Sequence, residues 1–234
     1  MNIHLFPEFQ DKAHKVAEDL AKDSRLAPYL ETGLPIPAPY VGTGPIRLVI
    51  LGQDPTVRDS DRRRHVKTAL NMDRRGSLLT YLGRVCKGLG LDLRKHVYAT
   101  NLLKNFFVKP PTEIHEVPIF DLVAPAWLQF LRDELAAFPS VPVISLGEPL
   151  LQIVASRPEI ARVRTYWGYT PRWQSTRHRP TFAYLAPVDN RLGRVIFPFP
   201  HQPSLRKPYY REHMDSYLRF AWRTAFESAE TPRR

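Results

Sequence analysis

The sequence predicts an α/β fold: a three-layer α/β/α sandwich with a central four-stranded parallel sheet. Three observations lead there. Short apolar runs recur at Arg47-Leu-Val-Ile-Leu51, Val97-Tyr-Ala-Thr100, Val141-Pro-Val-Ile-Ser-Leu146 and Arg194-Val-Ile-Phe-Pro-Phe199. Near-continuous apolar strands are those covered on both faces. Helical patterns separate them, and right-handed crossovers between such strands produce a parallel sheet.

Residues 8–31 carry Phe9, Val16, Leu20 and Leu26 among charges, an amphipathic helix or two short ones. Residues 33–45, with four prolines and three glycines, read as a crossing loop. Together, 1–45 form a lead-in to the main fold. Strand 46–51 enters a polar loop, 52–67. A helix follows from Ser77 as N-cap through Leu78, Leu82, Val85 and Leu89, stopped by Gly88 and Gly90. Next come strand 97–100, a proline-containing loop at 108–118, and a Leu/Trp-rich helix from Val123 to Phe138. Strand 141–146 ends at Gly147, and a helix covers Glu148 to Val154. Residues 157–192 break the rhythm and read as an irregular insertion or a β-hairpin. Strand 194–199 and a helix from Tyr209 to Phe226 close the chain. The 234 residues fit one domain.

A formal charge of +11 and a pI near 9.9 favour nucleic acid or another anionic surface. The competing reading is an arginine-rich solvated face. Cys86 is the only cysteine, which excludes an internal disulfide, an iron–sulfur cluster on the chain's own thiolates and a Cys-rich zinc site. It reads as a buried structural thiol. No segment reaches the roughly 18 apolar residues of a membrane span, and the N-terminus lacks a secretory pattern. These features predict a protein that stays in the reducing cytoplasm and off the membrane, nucleoid-associated if bacterial; a monomer needing no metal or diffusible cofactor is the further expectation.

In an open α/β sheet, ligands bind at the carboxyl ends of the parallel strands. There the sequence puts Gly52-Gln-Asp-Pro-Thr56, Asn101, Gly147-Glu148 and His201-Gln-Pro-Ser-Leu205. An Asp can orient or deprotonate water. An Asn presents an acceptor and donors in one plane, matching a nucleobase edge. A His can donate to charge developing on a leaving group. This set suits hydrolysis of an N-glycosidic bond better than acyl transfer, and the Gly-x-Ser-x-Gly spacing of a nucleophile elbow is absent.

With these residues in view, the chain resembles the uracil-DNA glycosylase superfamily. Gly52-Gln-Asp-Pro55 is identical to the start of its water-activating motif. His201-Gln-Pro-Ser-Leu205 is similar to its His-Pro-Ser-Pro-Leu motif. Val97-Tyr-Ala-Thr-Asn-Leu-Leu-Lys104, with Lys109-Pro-Pro111, and Val143-Ile-Ser-Leu-Gly147 resemble segments of its iron–sulfur branch. The likeness runs from about residue 46 to 210 in the family's order. It implies that Asp54 positions the attacking water and that His201 stabilises the departing base. It also implies that Gly52, Gln53, Pro55, Thr56, Leu70 and Asn101 surround the base, Asn101 reading its edge. Ser204 would clamp a phosphate and Leu205 would fill the hole left by the flipped nucleotide, with Arg206 and Lys207 adding phosphate contacts. The partner would be DNA carrying a damaged base, single- or double-stranded.

The chain also departs from the family. Thr56-Val57 replaces Tyr-His, so exclusion of thymine is open. Thr68-Ala-Leu-Asn-Met72 has no aromatic where the family stacks a Phe, and Leu70 is the best match. The cluster cysteines are missing, which describes a divergent, cluster-free member. Two alternatives stay open: a glycosylase for another deaminated or mismatched base, and a DNA-binding member with weak or no catalysis. Basic residues Arg58, Arg62, Arg63, Arg64 and Lys67 follow the first motif. In the insertion, Arg157, Arg162, Arg164, Arg172, Arg177 and Arg179 alternate with Tyr166, Trp167, Tyr169 and Trp173, a composition suited to a phosphate-tracking, base-stacking groove.

Overall fold

The computed structural model describes residues 8–170 and 179–227, with all their side chains but those of residues 203 and 205. Helix α1 (Phe9–Ala21) buries Phe9, Ala13 and Ala17, four residues apart on one face. Then come β1 (Leu30–Glu31), β2 (Tyr40–Val41), β3 (Leu48–Gly52), α2 (Ser60–Arg63) and α3 (Ser77–Gly88). The chain continues through α4 (Leu93–His96), β4 (Val97–Asn101), β5 (Phe106–Phe107), α5 (Ile119–Leu135) and β6 (Val143–Leu146). It ends with α6 (Glu148–Val154), α7 (Val163–Tyr166), β7 (Ile196–Phe199) and α8 (Pro208–Trp222). Among the described residues no helix is long and apolar enough to cross a membrane.

The expected four-stranded parallel sheet requires correction. The central sheet has five strands in the order β2-β4-β3-β6-β7 and is mixed. Strands β4, β3, β6 and β7 run parallel, while β2 lies antiparallel to β4, with Tyr40 opposite Ala99 and Val41 opposite Tyr98. A separate antiparallel pair joins β1 to β5. The fifth strand lies inside the proline-rich segment read as a crossing loop. Proline cannot donate to a ladder, and the strand that follows Pro39 is only two residues long, too short to show a period. The strand nevertheless shields one edge of β4.

Every residue of β3, β4, β6 and β7 is buried, as two-faced coverage requires. Helix α5 packs with α1 and α6, and α3 packs with α4 and α8. Helix α3 starts after Gly76 rather than at a Ser77 cap, and no side chain caps it. It ends with Gly90 at positive φ (66°), where Leu91 N–H reaches Cys86 O (2.9 Å) and Gly90 N–H reaches Lys87 O (3.1 Å). That pair of bonds is a Schellman closure, and it explains the glycine.

The 157–192 stretch holds short helical turns and isolated bridges in its described parts, such as Leu185 opposite Ile196. Its Trp167 is wholly buried, stacked on Tyr217 at 4.2 Å between ring centroids, with Nε1 donating to Pro198 O (2.8 Å). Tyr166 is also buried. These two rings belong to the core, which corrects their reading as part of a base-stacking groove. Tyr169 is exposed, with Arg164 over its ring. Arg172, Trp173 and Arg177 lie outside the described residues.

Candidate active site

The carboxyl ends of β3, β6 and β7 open into a cleft of about 590 Å³. Gly52, Gln53 and Asp54 enter it from β3, Leu146, Gly147 and Glu148 from β6, and Pro200 and His201 from β7. Pro55, Thr56, Leu70, Ser204 and Lys207 also line it. Asn101, at the end of β4, pairs in register with Gly52 and lies beneath that floor rather than on the wall. Arg206 is exposed and outside the lining, and the Leu205 side chain is outside the described set.

Asp54 is held by its own turn. Thr56 N–H donates to its Oδ1 (2.8 Å) and Gln53 Nε2 to its Oδ2 (3.0 Å). Desolvation nevertheless dominates. It pushes the carboxyl up to about 6, against those hydrogen bonds and the nearby positive charge of Arg63. The Thr56 hydroxyl accepts the Phe107 N–H (3.0 Å), tying the motif to β5. Thr56 thus acts as a clamp between loops, not as a bulky wall.

The floor is crowded and strained. A β-carbon on Gly52 would lie well inside 3.0 Å of both Asn101 Oδ1 and the Leu70 Cδ2 methyl. Asn101 is only 3% exposed, and its Oδ1 has no hydrogen-bond partner. A buried orphan acceptor costs about 1–3 kcal/mol. Leu70 (φ 57°) and Asn71 (φ 51°) both occupy the left-handed region, at roughly 1–2 kcal/mol for a residue with a β-carbon. Gly52→Ala is therefore expected to displace Asn101 and Leu70 together and to destabilise by about 1–3 kcal/mol. An unchanged melting temperature would show that the floor yields freely.

His201 stands exposed on the rim in extended backbone, and Ser204 N–H donates to its carbonyl (2.8 Å). Desolvation lowers its pKa, so the neutral imidazole prevails at neutral pH. Tyr210, buried behind the rim, has its phenol pushed up to about 12 by burial and by the charge of Glu148, and it stays a donor.

The basic cluster after the first motif divides. Arg63 is buried, paired with Glu31 (2.7 Å), and donates to Val57 O (2.7 Å) and Val108 O (2.9 Å). It is a structural clamp, which corrects its reading as a surface cation for DNA. Arg58 reaches the cleft but is joined to Glu113 through Nε (2.9 Å) and Nη2 (2.6 Å). This exposed pair links two cleft walls and contributes about 0–1 kcal/mol. The sequence reading missed Glu113, Asn71 and Tyr210 as lining residues. Only Asn71 carried a signal, since Asn tolerates positive φ. Among the described residues no group of three or more His, Cys, Asp or Glu side chains could hold a metal ion.

No protein-family model matches the chain, and no curated protein matches it.

Proposed function

We propose that this chain is a monofunctional DNA glycosylase that hydrolyses the N-glycosidic bond of uracil, or of a related damaged base, and leaves an abasic site. The supporting observation is one cleft that gathers Asp54, desolvated and titrating near 6, with a neutral His201, above the unpartnered Oδ1 of Asn101. DNA is the partner, and the reducing cytoplasm, where the buried Cys86 stays a thiol, is the setting.

A nucleotide flipped into the cleft costs a few kcal/mol of unstacking, least in a single strand or at a mismatch. As the glycosidic bond breaks, its electron pair leaves with the base and the sugar becomes an oxocarbenium ion. The His201 N–H stabilises the base anion. Ionised Asp54 favours the cationic sugar, directs water to C1′ and takes its proton. Asn101 offers its acceptor to a ring N–H and its amide donor to a neighbouring carbonyl. The Thr56 clamp favours a second reading for the base itself: with no bulky side chain there, a 5-methyl group meets no ring, and a thymine mismatch becomes a candidate substrate.

The test is a panel of labelled oligonucleotides, single- and double-stranded, each with one uracil, hypoxanthine or mismatched thymine. Alkali-labile breaks that accumulate with time at uracil are expected. No break at any lesion would leave a DNA-binding protein without turnover. Within the same panel, Leu205→Ala is expected to slow duplex uracil far more than single-strand uracil, because a wedge matters only where stacking opposes flipping. Equal losses on both would remove the wedge role.

A further inference from the structure

The turn between Thr68 and Asp73 is fixed at its ends and strained in its middle. Ala69 and Met72 are buried, and Ala69 N–H donates to Ala38 O (2.8 Å). Thr68 Oγ1 bonds Asp73 Oδ1 (2.5 Å) and accepts the Asp73 N–H (3.3 Å). Between these anchors only Leu70 and Asn71 are half-buried, and both have positive φ. The Leu70 Cδ2 methyl and Asn101 Oδ1, an oxygen buried without a partner, crowd the same point beside Gly52, 2.5 and 2.4 Å from where a β-carbon there would stand. A strained residue and an unmet acceptor therefore adjoin the same point beside Gly52.

We propose that Leu70 is a specificity-determining gate over Asn101. In the free protein it fills the space where a ligand N–H would meet the Asn101 acceptor, and ring entry drives it out as the left-handed pair relaxes. This rests on the reading that the cleft takes a nucleobase. The ligand class follows from the orphan atom: a planar ring with a ring N–H beside a carbonyl, the edge shared by uracil, thymine and hypoxanthine. Such a ring displaces Leu70 and also satisfies Oδ1. A ring lacking the donor displaces Leu70 and leaves the oxygen unpaired. The gate thus widens the difference between the two classes beyond what shape provides.

The gate is tested with a reporter thiol. The full chain carrying Asn101→Cys is treated with a small methanethiosulfonate reagent at pH 8, alone and combined with Leu70→Ala. Cys86 stays silent, because burial pushes its thiol up to about 12. Labelling at least about tenfold faster in the double variant is expected, since the site no longer waits for a local opening. Equal rates would overturn the gate. A second measurement needs no substitution at 101. Leu70→Gly is expected to melt at a higher temperature than Leu70→Ala, the reverse of the usual order, because glycine takes positive φ without strain. The usual order would overturn a strained gate. Uracil excision from a single strand is followed in parallel. A labelling contrast with no excision by any active-site-intact protein supports the gate and retires the glycosylase reading. Excision with no labelling contrast retires the gate alone.

Discussion

Asp54→Asn is expected to lower single-turnover excision of uracil by roughly 10²–10⁴-fold, the range for a positioned acid–base group, and to raise stability at the same time. The sign follows from linkage. The folded carboxyl titrates near 6, while an unfolded one titrates near its ordinary value of 3.8. Between these values the folded chain binds the extra proton, so stability falls as pH rises. Above about pH 6 the desolvated anion imposes its full penalty, of order 3 kcal/mol. An Asn removes that penalty and still accepts the Thr56 N–H. Thermal melts at pH 8 should place the variant above the parent, and melts below pH 4 should bring the two together. The excision rate of the parent should climb through about pH 6 and then level off. The lowered His201 pKa adds to the same limb, since the imidazole also becomes neutral as pH rises. A variant no more stable at pH 8, or a parent rate flat from pH 5 to 8, would detach Asp54 from the chemistry.

The contrast between what the sequence shows and what it hides has a physical basis. Strands β3, β4, β6 and β7 were legible because a strand covered on both faces must be apolar throughout, and their ends had to face one side because parallel strands share a direction. Asp54 and His201 were legible as cleft residues for that reason alone. Strand β2 was not, since two residues carry no period. Trp167 was misread because an aromatic flanked by arginines looks the same in sequence whether it stacks on a base or on Tyr217. Arg63 was misread for a similar reason: its burial depends on Glu31 and on the carbonyls of Val57 and Val108, contacts made across the fold. The strain at Leu70 left no trace, because a leucine at positive φ violates the local preference that sequence reading relies on.

Lys104→Met is expected to destabilise the protein by roughly 3–5 kcal/mol, the usual result of stranding one partner of a buried ion pair. Lys104 and Glu134 are almost fully buried and 2.5 Å apart. Tyr98 and Thr100 donate to Glu134 Oε1, each at 2.7 Å, and Lys104 also donates to Thr100 Oγ1 (2.6 Å). The ammonium lies 5.7 Å from the Phe9 ring centroid and 5.5 Å from that of Phe130, with its pKa lowered by desolvation. Removing the cation leaves Glu134 with hydrogen bonds but no countercharge. A drop in melting temperature of roughly 10 °C would follow. Adding Glu134→Leu should recover part of the loss, because no buried charge remains, although the Tyr98 and Thr100 hydroxyls lose their acceptor. Recovery would assign the pair to specifying the fold rather than to stability. The pair also bears on the cleft, since Thr100 and Lys104 flank Asn101 in the chain and root the strand end that carries it. If the single variant stays folded at low temperature, its excision should fail through poorer discrimination between uracil and other bases, with the acid limb near pH 6 unmoved. A shifted limb with intact discrimination would show instead that the network acts on Asp54.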